Sequence, residues 1–400
     1  MAVSRRSLLR GISLTSLISA LPSLVKAAPK RSPGPYEQLG IRPVVNFQGT
    51  MTTLGASKMW EDLHEAAAQA SREYVVLEEL KDQIGKRLSA LIGCEDALVT
   101  PGAAAAICLG TCASLTGSDT KKVRQLPDLT GMKKEVVIQK VHRNGYDHAV
   151  RNTGVRIVEV ESEQALIAAV GDQTAMMYFL GGTSGDWRWE TPVSLERCRE
   201  ITRRAGVPLM VDAANMLPPW DNIRRLASVG VDLICISGGK HMRGPQCTGI
   251  LAGRRDLIQS AWLNSSPHSD SLGRPMKVGR EEMVTAWLTV EKYSRLDFDA
   301  IDRQCVRQAE YLERELAAVP GLKLERTPVD RTRKIRRVMV HWDERALGIT
   351  AGEVERLLMD GEPRIAVGRV QPQGIELTVF MNEAGDEKTA VKRLREIFKA

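Results

Sequence analysis

The sequence predicts an α/β protein, with a mostly parallel sheet carrying helices on both faces and a smaller α+β domain at the C-terminus. Between positions 97 and 252, short apolar runs alternate with helix-compatible segments, the pattern of strands joined by helical crossovers. A long helical pattern at 301–319, closed by Pro320-Gly321, is followed by three strand-like runs and a last helix without that alternation. Four hundred residues suffice for one large and one small core.

Taken in order, residues 29–43 are rich in Pro, Lys and Arg and read as an arm. Leu77, Leu80, Ile84, Leu88 and Leu91 recur at helical spacing within a helical stretch over 58–91, and Gly93 stops it. Ala97-Leu98-Val99-Thr100 reads as a strand. Pro101-Gly102 and the alanines 103–106 then open a helix, because Pro and Gly belong at its entry and Ala in its interior. After the charged stretch 121–134 come strands at 135–138, 156–160 and 175–179, a helix at 195–205 and a strand at 208–211. Alternation continues through 233–237 to a strand at 249–252. Strands at 338–340, 364–367 and 374–377 and a helix from Glu387 build the last part. The expected division is a leader (1–27), an arm (28–43), a large domain (44–295) and a small domain (296–400).

The leader has its own signature. Ser4-Arg5-Arg6-Ser7-Leu8-Leu9-Arg10 precedes a mildly apolar, serine-containing run and then Lys26-Ala27-Ala28. Paired arginines, a short apolar segment and small residues at the exit read as a twin-arginine export signal cleaved after Ala27. The run is too short for a confident membrane span, so the expected location is periplasmic. Removing Arg5, Arg6, Arg10 and Lys26 lowers the formal charge from +7 to +3, weak grounds for a nucleic-acid partner. The seven cysteines are an odd set with no Cys-x-x-Cys pair. They read as small buried hydrophobes rather than a disulfide framework, and no grouping has metal-ligand spacing.

The chemistry centres on Lys240, in Ile236-Ser237-Gly238-Gly239-Lys240-His241, and on Asp212, in Leu209-Met210-Val211-Asp212. An ordinary lysine is protonated at neutral pH and needs desolvation or a partner to act as a nucleophile. Gly238 and Gly239 would let the backbone approach a flat cofactor. A surface lysine in a glycine turn is the plainer alternative. A carboxylate ending a buried strand is costly without a cation, and a protonated pyridine nitrogen is one; capping of the next helix is the alternative. Together they suggest a pyridoxal phosphate (PLP) site, with Lys240 on the aldehyde and Asp212 on the ring nitrogen. Thr100, Gly102 and Ala103 open a helix whose N–H groups suit a dianionic phosphate. In His142-Arg143-Asn144-Gly145-Tyr146-Asp147-His148 one ring would stack on the cofactor. His142, directly after its strand, is the choice, although a structural histidine is the more frequent outcome.

These segments, with Val45-Asn46-Phe47-Gln48-Gly49-Thr50, Arg243-Gly244-Pro245-Gln246 and Gly273-Arg274-Pro275-Met276-Lys277-Val278-Gly279, resemble the selenocysteine synthase-like group of fold-type-I PLP enzymes. Seryl-tRNA selenium transferases and D-glucosaminate-6-phosphate ammonia-lyases belong to that group. The resemblance runs from about Val44 to the C-terminus. It implies Lys240 as the Schiff-base lysine, Asp212 as the pyridinium partner, phosphate contacts at Gly102 and Ala103, and a further one at Ser237. It also implies a homodimer or larger homo-oligomer, in which Arg274 or Lys277 reaches a neighbour's site. Arg369 is the candidate for a substrate carboxylate, since a planar fork suits bidentate binding. The expected activity is elimination of ammonia from a small amino acid or amino sugar acid through an α-carbanion, with racemisation and transamination as branches. A non-catalytic PLP-binding protein is the competing class. Two departures bear on substrate: the motif begins too soon after the leader for an N-terminal tRNA-binding domain, and Arg280 stands where the group usually has lysine.

Overall fold

A computed structural model of the chain describes residues 33–182, 191–326, 334–370 and 373–399. The twin-arginine segment lies outside them. Residues 33–43 belong to a separate unit and hold one short helix, Pro35–Gln38. From Val44 onward the strands are β1 (Val44–Phe47), β2 (Asp96–Thr100), β3 (Glu135–Gln139), β4 (Arg156–Val160), β5 (Thr174–Leu180) and β6 (Leu209–Asp212). They continue as β7 (Leu233–Ser237), β8 (Gly249–Gly253), β9 (Leu322–Arg326), β10 (Arg337–Trp342), β11 (Arg364–Arg369) and β12 (Ile375–Thr378).

Seven of these form the large sheet, in the order β2-β8-β7-β6-β5-β3-β4. β8 runs against both of its neighbours, and the other pairings are parallel. Every strand expected from the alternation at 97–252 lies here. Both faces are buried. Val137, Met177, Phe179, Val211 and Ile234 point into one apolar core, and Val136, Ile138, Tyr178, Met210 and Leu233 into the other. That two-sided burial is why these strands read as unbroken apolar runs.

Helix Ala103–Thr116 is buried around most of its circumference and packs on β7 and β8. Its alanines and Gly110 keep its diameter small. A side-chain carbon at Gly110 would meet the Met210 methyl at 2.3 Å. The opposite core is closed by helices Leu77–Ile92 and Arg280–Tyr293, which present Ile84, Leu88, Ile92, Met283, Ala286 and Val290.

The second sheet has the order β1-β11-β12-β10-β9, covered by helices Phe298–Ala317, Ala351–Asp360 and Asp386–Phe398 around a third core. Two features depart from the expectation. β1, assigned to the large domain, pairs in parallel with β11, so the chain starts in the small sheet before entering the large one. A four-residue apolar run carries no mark of which distant strand it will meet, which is why the sequence misplaced it. β9, with alternating Leu322 and Leu324, adds an edge that the helix-stop reading passed over. The basic residues at the start of β10 are paired in their described part. β10 lies between β12 and β9, and Lys334, Arg336 and Arg337 pair with Asp299, Asp302 and Glu376; Arg331 and Arg333 lie outside the described residues.

Candidate active site

Because β5, β6 and β7 run parallel, their C-terminal ends open on one edge of the sheet, where open α/β sheets hold ligands. A cavity of about 820 Å³ lies there. Gly102 and Ala103 reach it after β2, Asp212 at the end of β6, Ser237 at the end of β7 and Lys240 three residues later. The loop that follows β1 also arrives, bringing Thr52 and Ala56.

Lys240 sits in a tightly bonded turn. Gly238 N–H donates to Thr248 at 2.9 Å, Gly244 N–H to Gly238 at 2.9 Å, and Arg243 N–H to Lys240 at 3.1 Å. The segment after β1 clamps this turn from outside: Ser57 Oγ donates to the Gly239 carbonyl at 2.7 Å and Trp60 Nε1 to Met242 at 2.8 Å. The two glycines serve a packing purpose as well. A side-chain carbon at Gly238 would meet Thr248 Oγ1 at 2.3 Å, and one at Gly239 the Gln246 Cα at 2.4 Å. They let the turn fold back on itself, and Gly239 also lines the cavity.

Asp212 is buried, and each of its oxygens already has a donor. Oδ1 accepts from the Ala214 N–H at 3.0 Å, and Oδ2 from the Tyr178 hydroxyl at 2.9 Å. Burial nevertheless raises its pKa above the ordinary carboxylate value, against the downward pull of the Ala214 N–H, Tyr178 and the Lys240 charge. A carboxylate that is bonded yet still under-solvated favours a cationic partner arriving from the cavity.

Opposite it, the first-turn N–H groups of helix Ala103–Thr116 have no intrahelical acceptor and add the positive end of the helix dipole. Gly102 takes φ +91°, a conformation that disfavours any side chain, and a carbon added there meets no protein atom within 4 Å. Gly249 on β8 lets this loop come close, since its own side-chain carbon would strike the Gly102 carbonyl carbon at 2.4 Å. Gly102→Ala is therefore expected to weaken PLP binding roughly tenfold or more, from backbone strain and from filling the phosphate's place. Titration of the cofactor-free protein by fluorescence checks this.

Of the ten residues singled out, Gly102, Ala103, Asp212, Ser237 and Lys240 converge on the cavity. Thr100 lies beneath it, its hydroxyl donating to the Gly102 carbonyl at 3.0 Å, and shapes the turn rather than the wall. His142 is a correction. Its ring is buried edge-on against Phe179, with centroids 4.3 Å apart. Burial lowers its pKa to about 4, and its Nδ1 has no hydrogen-bond partner among the described residues. The short turn Lys140–His142 rotates it into the core, and among the described residues the aromatic ring that lines the cavity is Tyr146, two-thirds exposed. Arg369 is also corrected: its guanidinium pairs with Glu355 and does not line the cavity. Arg274 lies against Ser266 and Lys277 is exposed, both away from this cavity. Arg280 is held by the carbonyls of Ala70 and Ser71. Tyr178 and Asn144 were missed; the only signal was that a tyrosine in the apolar run of β5 needs a partner for its hydroxyl.

Comparison with known proteins gives the family. The model of the Aminotransferase class-V family matches residues 191–346. L-seryl-tRNA(Sec) selenium transferase of Moorella thermoacetica is 28% identical over 292 residues, 66% of this chain and 58% of that protein. D-glucosaminate-6-phosphate ammonia lyase of Salmonella typhimurium is 30% identical over 379 residues, 92% of this chain and 98% of that protein. The chain belongs to the selenocysteine synthase-like family of fold-type-I PLP enzymes. A solved structure of D-glucosaminate-6-phosphate ammonia-lyase superposes with a TM-score of 0.78 at 28% identity, over 92% of this chain and 99% of that one. A further relative, 5'-C-glycyluridine monooxygenase-decarboxylase of a Streptomyces species, is 32% identical over 90% of this chain and 91% of that protein.

This member of the family is a PLP-dependent enzyme related to the ammonia-lyases. The site fits its cofactor on its own chemistry. The open cradle at Gly102 suits a phosphate, the under-solvated carboxylate of Asp212 suits a pyridinium, and the cavity lies between them.

Proposed function

We propose that the protein is an exported PLP-dependent ammonia-lyase for a small amino acid or amino sugar acid, working through Lys240. The observation that carries this reading is the meeting of Lys240, Asp212 and the start of helix Ala103–Thr116 on one cavity. When bound, PLP supplies an aldehyde for an amine and a ring that takes up the electron pair left at the α-carbon. Lys240 would be the residue that holds that aldehyde, and its freed amine would be placed to take the α-proton as general base. Asp212 keeps the ring nitrogen protonated, and the N–H groups at Gly102 and Ala103 hold the phosphate. Ser237 adds a hydroxyl at the same wall, and Tyr146 is the ring placed to stack on the cofactor. Removal of the α-proton together with a β-hydroxyl, as water, would leave an enamine that takes up one water and gives a keto acid and ammonia. Arg274 and Lys277, remote from this chain's cavity, are assigned to the neighbouring site of a homo-oligomer.

The test is a panel of D- and L-amino acids and amino sugar acids, followed for keto acid and ammonia together. Stoichiometric release of both supports elimination. Loss of optical activity alone, or transfer of the amino group to an added keto acid, would replace it with racemisation or transamination. The monooxygenase-decarboxylase relative favours a second reading, in which the amino acid is oxidised by dioxygen with loss of carbon dioxide. The same panel in an oxygen electrode distinguishes it, since elimination consumes no dioxygen.

Export is read from the leader alone. The mature protein from a bacterial periplasm is expected to begin at Ala28, as measured by intact mass, and to be lost from that compartment when Arg5 and Arg6 are both replaced by lysine. A periplasm-free protein still beginning at Met1 contradicts export.

A further inference from the structure

Tyr178 lies on β5, fully buried, and reaches sideways to the end of β6. Its hydroxyl donates to Asp212 Oδ2 at 2.9 Å. The other carboxylate oxygen takes the Ala214 N–H, and the Cys235 thiol lies alongside on β7, where Asp212 and Cys235 are register partners. Burial and the adjacent Asp212 charge push the phenol far above its ordinary range, and Asn144 lines the cavity wall. The phenol is thus a neutral, oriented donor that does not itself titrate. Around the carboxylate stand one backbone N–H, one phenol, one protonated thiol and the Lys240 charge.

We propose that Tyr178 is a positioning residue for the cofactor, acting through Asp212: its hydrogen bond fixes the carboxylate and keeps it anionic, so that the proton it shares with the PLP ring nitrogen stays on the ring. This rests on Asp212 being the carboxylate that meets that nitrogen. A hydrogen bond to a charged acceptor in a dry site is strong and holds its geometry. Without it, a carboxyl already raised by burial rises further and meets the ring protonated. The ion-paired bond then becomes a neutral one, and the ring loses pull on electrons at the substrate.

The experiment measures affinity, not turnover. Cofactor-free wild type, Tyr178→Phe and Asp212→Asn are each titrated with PLP and with its carbocyclic analogue, in which CH replaces the ring nitrogen. Wild type prefers PLP. Asp212→Asn is expected to bring that preference close to one. Tyr178→Phe is expected to lower it roughly tenfold while leaving the analogue's affinity near the wild-type value. A merely structural role would weaken both ligands alike, so an unchanged preference in Tyr178→Phe overturns the proposal while Asp212 keeps its part. An unchanged preference in Asp212→Asn overturns the Asp212 reading, and the proposal with it. Should the phenylalanine chain fail to fold, Tyr178→Met removes the same donor, and its flexible side chain fills the gap differently; the same outcomes decide.

Discussion

Replacing Lys240 with alanine is expected to lower turnover by roughly 10³-fold or more, since on the proposed mechanism it removes both the covalent holder of the cofactor and the base for the α-proton. The fold should survive, because the turn around position 240 is held by backbone bonds at Gly238, Arg243, Gly244 and Thr248 that do not involve the amine. Lys240→Arg makes the prediction sharper. Arginine keeps the charge beside Asp212 and much of the reach, yet its guanidinium stays protonated and neither condenses with an aldehyde nor takes a proton. If the amine acts as nucleophile and base, arginine should be as inactive as alanine. If Lys240 only supplies positive charge near Asp212, arginine should keep most of the activity. A small primary amine added to Lys240→Ala is expected to restore part of the proton-transfer rate. Single-turnover rates with a substrate from the panel separate these outcomes.

Asp212→Asn is expected to have the second largest effect, and its sign depends on the state of the protein. With cofactor, the charge-assisted bond to the ring nitrogen is lost, and PLP affinity should fall roughly 10- to 100-fold. Without cofactor the direction reverses. The buried carboxyl has its pKa raised above 3.8 by desolvation, so its folded-state value exceeds its unfolded one. Its contribution to stability is then fully present below about pH 3.8 and is lost as pH rises through the raised folded value. Asparagine does not titrate. Relative to wild type, cofactor-free Asp212→Asn should therefore gain thermal stability between acid and neutral pH, whatever constant offset the new amide brings. Melting curves of the cofactor-free proteins across that interval check the trend; a difference that stays flat with pH would mean Asp212 is not strained by burial.

Much of this site could be read from the sequence because strand ends are easy to see. Asp212 closes an apolar run, Lys240 follows another by three residues, and Pro101-Gly102 with its alanines announces a helix start. Parallel pairing brings the ends of β6 and β7 to one edge, and β2, two antiparallel pairings from β7, ends there as well. Side-chain direction was not legible. His142 and Tyr146 lie four positions apart in irregular chain, and only the short turns Lys140–His142 and Gly145–Asp147 decide that the first turns inward and the second outward. Nor was partnership. Arg369 looked available until Glu355, from the helix beside it, took its guanidinium. Tyr178 looked like core because nothing local announces that a strand neighbour ends in a carboxylate. β1 shows the same limit at the level of the sheet, where its partner lies more than three hundred residues away.

The most direct measurement is chemical. Holoprotein reduced with borohydride, digested and mapped by mass spectrometry is expected to carry the phosphopyridoxyl group on Lys240, with the visible absorption band lost on reduction. A phosphopyridoxyl group on a different lysine, or a wild-type protein that retains PLP but yields no reduced adduct at Lys240, would contradict the account.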